Sequence, residues 1–284
     1  MKQKTREKGM QAAFFLTACF SAAAVALICL FLFSGGMPAL REIGTVEFLL
    51  GDVWKPEEGK YGIFPMILGS LYVTAGAMIP GVVLGLLTAI WMAGFCPPKL
   101  YPKTRTAVRM LAGIPSIVYG FFGMMVIVPL VRRTLGGGKS ILSASVLLGI
   151  MILPGVISVA EAALRAVPGS YYDGALALGA THERAVFTVW VPAARSGILA
   201  GIVLGLGRAV GEATAVAMVV GNQTAVPESI LRGTRTLTTN IILEMGYAEG
   251  LHRQALFATG VVLFVFILVI NLCVAWLKYR EEKK

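Results

Sequence analysis

Six apolar stretches divide this chain, at about 12–34, 66–95, 107–131, 140–162, 194–221 and 255–277. A helix needs roughly 20 such residues to cross ~30 Å of hydrocarbon. In lipid every backbone polar group must be satisfied within the segment, so helix is the form open to such runs. The pattern excludes a soluble fold and predicts an all-α polytopic membrane protein, one transmembrane domain of six helices over 1–284. Composition agrees: 57% of residues are hydrophobic and 14% charged, where a soluble chain is nearer a quarter charged. The first run follows KQKTREK, which also reads as the start of a signal peptide. Its apolar core exceeds the usual ~7–15 residues and no A-x-A site precedes Gly35-Gly36-Met37-Pro38, so we read an uncleaved span ending at that break.

Lys and Arg orient the bundle. Fifteen of the 25 lie at the N-terminus, in the second and fourth connections and at the C-terminus, nine lie in the opposite loops, and Arg208 falls inside a run. The positive-inside rule then puts both termini and the 163–193 loop in the cytoplasm. The net charge of +10 would suit nucleic acid, but its bases cluster at the ends of apolar runs and are read as topogenic, with no nucleic-acid partner. The outer loop 35–63 has room for an interfacial helix near 38–50, with Trp54 and Tyr61 at headgroup level. Cys19, Cys29, Cys96 and Cys273 follow no metal or disulfide spacing. His182 and His252 fall on opposite sides, one in a solvated loop and one at an interface, so no catalytic set is expected. There is no G-x-x-x-x-G-K-[ST] loop, so any nucleotide hydrolysis must happen elsewhere.

Between the fourth and fifth runs lies DGALALGATHERAVFTVWVP, residues 173–192. Ala175–Leu178 favours helix, Gly179 can take the left-handed conformation that ends one, and Thr181 is suited to N-cap the next with Glu183 in its first turn. Two short helices at an angle are expected, with Leu176, Leu178, Ala180 and Val186 as an apolar knob for a partner groove. A membrane-surface amphipathic helix is the plainer alternative. The landmarks Asp173-Gly174-Ala175, Gly179 after three residues, then Val189, Val191 and Pro192 after nine more, resemble the EAA-x3-G-x9-I-x-LP loop with which ABC-importer permeases grip their ATPase. Asp for Glu, Gly for Ala and Val for Ile and Leu are the departures.

The fifth run holds LGLGRAVGEATAVAMVVGN, residues 204–222. Arg208 is ~20 Å from either end, too deep to snorkel out. Such a charge costs at least ~2.5 kcal/mol and must face a partner or water. Glu212, four residues on, would share its helical face and pair with it. Arg208 offers a planar fork of donors suited to a tetrahedral oxyanion, and Glu212 would hold that fork while limiting how tightly an anion sits. A purely structural ion pair is the alternative. The small residues Gly197, Gly201, Gly205, Ala209, Ala213, Ala217 and Gly221 recur every fourth position, suiting close helix packing, although steps of four drift around a helix and cannot all face one neighbour.

Several further segments are similar to the PstC-type permease subunits of phosphate ABC importers: VPGSYYDGALALGAT (167–181), VPAARSGILAGIVLGLGRAVGEA (191–213), VVGN (219–222), GLHRQALFATGVVLF (250–264) and, loosely, 54–74. Within R-A-x-G-E, the Thr that usually follows is Ala213, with Thr214 one position later. The resemblance implies a type I importer permease of the MetI-like kind. Its anion pathway would include Arg208, Glu212, Thr214 and Asn222, and Asp173, Gly174, Ala175, Gly179 and Pro192 would couple it to the ATPase. The implied partners are a PstA-like second permease, a PstB-like ATPase dimer carrying ATP-Mg, an extracytoplasmic PstS-like binding protein and phosphate. No cofactor, metal or catalytic residue is expected on this chain. Sulfate, molybdate or phosphonate as cargo, and an ATPase-independent anion channel or sensor, remain the rival readings.

Overall fold

A central helix organises the bundle. The computed structural model describes residues 2–282. Its helices are α1 (Lys2–Ile43), α2 (Thr45–Leu50), α3 (Phe64–Phe95), α4 (Tyr101–Ala112), α5 (Ser116–Leu135), α6 (Ile141–Ala166), α7 (Gly169–Ala177), α8 (His182–Ala193), α9 (Arg195–Gly211), α10 (Thr214–Val219), α11 (Leu237–Glu244) and α12 (Gly250–Glu282). Among the described residues five helices are long and apolar enough to cross a membrane, and six if α8 and α9, bent by 69° from one another, are taken together. The most apolar window of α6 is 67% buried, against 0% for α1, which makes α6 the core and α1 a lipid-side helix.

Glycine faces bring α3 and α9 onto α6. A side chain at Gly81 would meet Ile152, at Gly85 it would meet Val156, and at Gly197, Gly201 and Gly205 it would meet Ala163, Val159 and Val156 in turn. Three successive members of the small-residue stripe thus do face one neighbour. A close helix–helix crossing tolerates no larger residue there. α1 and α12 form a second pair, closed by edge-to-face rings Phe31–Phe257 and Phe33–Phe264.

Several expectations need correction. The first span does not stop at Gly35–Pro38. Those glycines pack against Phe257 and Ala258, and the helix runs on to Ile43 before Gly44 (φ 90°) turns it into α2. The third span, expected over 107–131, is Ser116–Leu135. Residues 107–112 close the amphipathic α4, and Pro115 in extended conformation separates the two, as proline disfavours helix before it. The fifth, expected unbroken over 194–221, is α9 and α10 with a break at Glu212–Ala213. At 17 residues α9 is only ~25 Å long, and it reaches the length of a crossing only together with α8. The fourth and sixth extend to Ala166 and through Gly250–Cys273. Finally, Trp54 and Tyr61, expected to face headgroups, are buried in the protein. They are cross-strand partners in a hairpin of β1 (Trp54–Lys55) and β2 (Lys60–Tyr61), stacked edge to face and buried against α11 and α12.

Candidate functional site

The break in the fifth crossing shapes the membrane-depth site. α9 ends at Gly211, and Glu212 turns extended (ψ 120°). Its carboxylate then accepts from the Ala215 amide at 3.0 Å, at the open end of α10, a fit for a negative charge at a helix start. The expected Arg208–Glu212 ion pair is therefore absent among the described residues: an i,i+4 contact needs continuous helix, and helix stops between them. Arg208 stands thirteen residues into α9, ~20 Å from its start. It is half-buried, with no carboxylate partner among the described residues, and its charge reaches the phenol of Tyr119 on α5.

Around Glu212 the fold gathers hydroxyls that the sequence reading missed. Ser70, Thr74, Thr236 and Thr238 line a small cavity with it. Thr238 donates to the Glu212 carbonyl at 3.1 Å, and Ser70 accepts from the Leu237 amide at 2.9 Å. Ser70 and Thr74 are the signal in retrospect: two polar residues four apart in an apolar span, on one helical face. Thr214 begins α10, half-buried beside this group. Asn222 lies three residues past the other end of that six-residue helix. It takes φ 56°, a conformation asparagine tolerates. Its amide nitrogen donates to the Ala217 carbonyl at 2.8 Å, while its side-chain oxygen is buried with no partner. The structure thus keeps Arg208, Glu212 and Thr214 along one break and places Asn222 beyond it.

Beyond Asn222, Arg235 donates to the Asn222 carbonyl at 3.3 Å, to the Asn240 side chain at 3.0 Å and to the Glu244 carboxylate. Glu244 also accepts from Trp54 Nε1 at 2.9 Å and meets His252 Nε2 at 2.8 Å. Burial works to raise the Glu244 pKa, but the bonds from Trp54, His252 and Arg235 outweigh it and hold the carboxyl below its ordinary range. His252, read as a simple interfacial residue, is part of this knot.

The 169–193 segment folds as two short helices at an angle. Gly179 takes φ 83°, and Thr181 accepts from the Arg184 amide at 3.4 Å as the N-cap of α8. Asp173, Gly174 and Pro192 are exposed and Ala175 is half-buried. Leu178 is 91% exposed at the tip, with Leu176 exposed beside it. Val186 is not part of this knob, because it is buried between the ends of α3 and α6. His182 is not solvated either. Its ring bonds Tyr172 Oη at 2.6 Å and the Gly94 carbonyl at 3.1 Å. Trp190 Nε1 donates to the Leu164 carbonyl at 2.7 Å. The element is bolted to two transmembrane helices while presenting an apolar tip outward.

A helical bundle of long apolar helices, with a broken helix, an arginine that has no carboxylate partner among the described residues and a two-helix element presenting an apolar tip, is the form of a membrane transport permease. The chain belongs to the family described as "Binding-protein-dependent transport system inner membrane component", which matches residues 81–283. It is 36% identical over 94% of its length, and 90% of the relative's, to the probable ABC transporter permease protein YqgH of Bacillus subtilis. It is 32% identical to the phosphate transport system permease protein PstC of Mesorhizobium japonicum, covering 90% of this chain and 85% of that one. The corresponding protein of Haemophilus influenzae is 33% identical, covering 85% and 83%. Among solved structures, the MetNI methionine ABC transporter in inward-facing conformations has the same fold, with a TM-score of 0.62 at 20% identity over 80% of this chain and 99% of that one.

Proposed function

We propose that this chain is the PstC-type permease subunit of an ATP-driven importer of inorganic phosphate. The observation that carries the reading is Arg208: a guanidinium ~20 Å into the crossing helix, half-buried and without a carboxylate partner, at the edge of a helix break. A structural arginine at that depth would be neutralised; one kept free supplies a two-pronged donor for a tetrahedral oxyanion. Discontinuous helices at mid-membrane are where transporters place their substrate sites. Glu212, held on the α10 amides, and Thr214 border the same break, and Asn222 guards its outer end. The names of the PstC relatives support phosphate as cargo.

The whole chain serves as one transmembrane domain, with both termini in the cytoplasm and the 169–193 element facing an ATPase dimer. Asp173, Gly174, Ala175, Gly179 and Pro192 shape that contact, and Leu178 is the apolar tip that enters the ATPase groove. His182 and Trp190 bind the element to α3 and α6, so a push on Leu178 moves the bundle as a unit. A second, PstA-like permease completes the pathway, and a PstS-like binding protein delivers phosphate from outside. ATP-Mg is bound and hydrolysed on the PstB-like partner; this chain holds no catalytic group or cofactor. Alternating access follows: the ATPase closes, the lever opens the pathway outward, phosphate meets Arg208, and hydrolysis restores the inward state. The test is labelled phosphate uptake into proteoliposomes holding the complex and its binding protein, with and without ATP, against sulfate and molybdate. ATP-dependent, phosphate-selective uptake is expected. Uptake displaced by the competitors would change the cargo, and flux without ATP would replace the importer by a channel.

A further inference from the structure

An outer cavity, separate from the Arg208 break, has bases as its only charged lining residues. It measures about 620 Å³ and draws Arg132 from the end of α5, Lys139 from the glycine loop 136–138 that follows, and Arg232 from the loop before α11, with Gln223 and Ser229 between them. No carboxylate lines it, and none of the three bases is ion-paired among the described residues. Another cavity, of about 770 Å³, is lined by Glu57, Glu58, Glu244 and Glu249, with Lys55 as its one Lys or Arg. Of the two hollows only the first is free of carboxylates, an arrangement that concentrates anions at one place on the surface.

The hollow is rigidly built. The Ile141 amide donates to the Arg232 carbonyl at 3.1 Å and the Leu142 amide to the Ile230 carbonyl at 2.9 Å, tying the 229–233 loop to the start of α6. Gly136 (φ 74°) ends α5 and turns the chain back, so that Arg132 lies over Gly138. The amides of Gly137, Gly138 and Lys139 make no hydrogen bond among the described residues and remain available as donors. The hollow also adjoins the pathway: a methyl group on Gly221 would stand 2.9 Å from Gly233 Cα and 3.1 Å from the Lys139 carbonyl, one residue before Asn222.

We propose that Arg132, Lys139 and Arg232 form an outer receiving site for a single phosphate group, beside the mouth that Asn222 closes. Arginine forks, an ammonium and free backbone amides are the donor set that a tetrahedral phosphate recognises. The ligand is either free phosphate on its way to Arg208 or the headgroup phosphate of an anionic lipid, since the two present the same oxygens. The choice of phosphate over other oxyanions rests on the importer reading; the site itself does not.

The test is equilibrium binding of radiolabelled inorganic phosphate to the complete complex in phosphatidylcholine nanodiscs. Arg208→Ala is introduced throughout to remove the pathway site. Saturable binding is expected to remain in that variant. It should weaken at least about tenfold when R132Q, K139Q and R232Q are added, and return with R132K, K139R and R232K, which keep the charges. Binding that is indifferent to the glutamine set overturns the proposal. Phosphate binding that persists in phosphatidylglycerol nanodiscs identifies the free anion as ligand; binding displaced there, with phosphatidylglycerol retained by the Lys/Arg set and lost from the glutamine set, identifies the lipid headgroup. Loss of the site with phosphate uptake intact would sink neither the importer nor its cargo. A site that holds in a complex importing another oxyanion would sink only the cargo.

Discussion

Arg208 and Arg235 stand on either side of the same helix break, and their surroundings are opposite. Arg235 is nearly buried and its donors are committed to the Asn222 carbonyl, Asn240 and Glu244, whose other oxygen takes up Trp54 and His252. That charge holds the hairpin 54–61, the α11 helix and the end of α10 in one piece. Arg208 is half-buried in α9 with no carboxylate partner among the described residues. Glu212, the acid placed by spacing to neutralise it, is engaged by the Ala215 amide instead. A buried charge whose donors are all taken is architecture, whereas one left open at that depth is available to a ligand.

The comparison breaks most decisively at Arg208. Arg208→Ala should reduce phosphate uptake to background while the complex purifies intact and its thermal midpoint stays near that of the parent. Normal uptake would make both arginines structural. Glu244→Ala should do the reverse and destabilise the outer wall by about 3–5 kcal/mol, because it strands the Arg235 charge in a buried place. The check is thermal unfolding of the purified complex, and an unchanged midpoint would show that Arg235 is not held by its partners. Gly179→Val should cost about 1–2 kcal/mol locally, since a branched residue resists φ 83°. Its main effect should be ATP hydrolysis that no longer drives uptake, read as phosphate imported per ATP.

Smaller effects sharpen the contrast. Trp54→Phe removes one bond to the Glu244 carboxylate and should cost about 1.5 kcal/mol. Acid should weaken the same wall. The folded Glu244 pKa lies below its ordinary value of 4.5. Its contribution is therefore fully present above that value and is lost as pH falls through the lower, folded one. Thermal midpoints of parent and Glu244→Gln should converge as pH is lowered below 4.5; a constant gap would remove the linkage.

Much of this molecule is legible in one dimension. Apolar run length set the number of crossings and their rough places. Local chemistry set the lever: Gly179 in the left-handed region, Thr181 as an N-cap, a two-helix element ending at Pro192. These are properties of residues within a few positions of one another, and side-chain type alone decides them. The break at Glu212 was out of reach, because R-A-V-G-E-A fits continuous helix by pattern, and the stop is stabilised by Thr238, 26 residues away. So was the outer knot, where Trp54 and Glu244 meet across 190 residues. The hydroxyls of Ser70 and Thr74 reach Glu212's cavity only because glycines on α3 and α9 let both helices close onto α6. From the sequence alone came a membrane bundle with a charged residue inside an apolar run and a two-helix loop. Only packing decided whether that charge was paired, because an ion pair depends on where two backbones stand in space and not on how far apart they are along the chain.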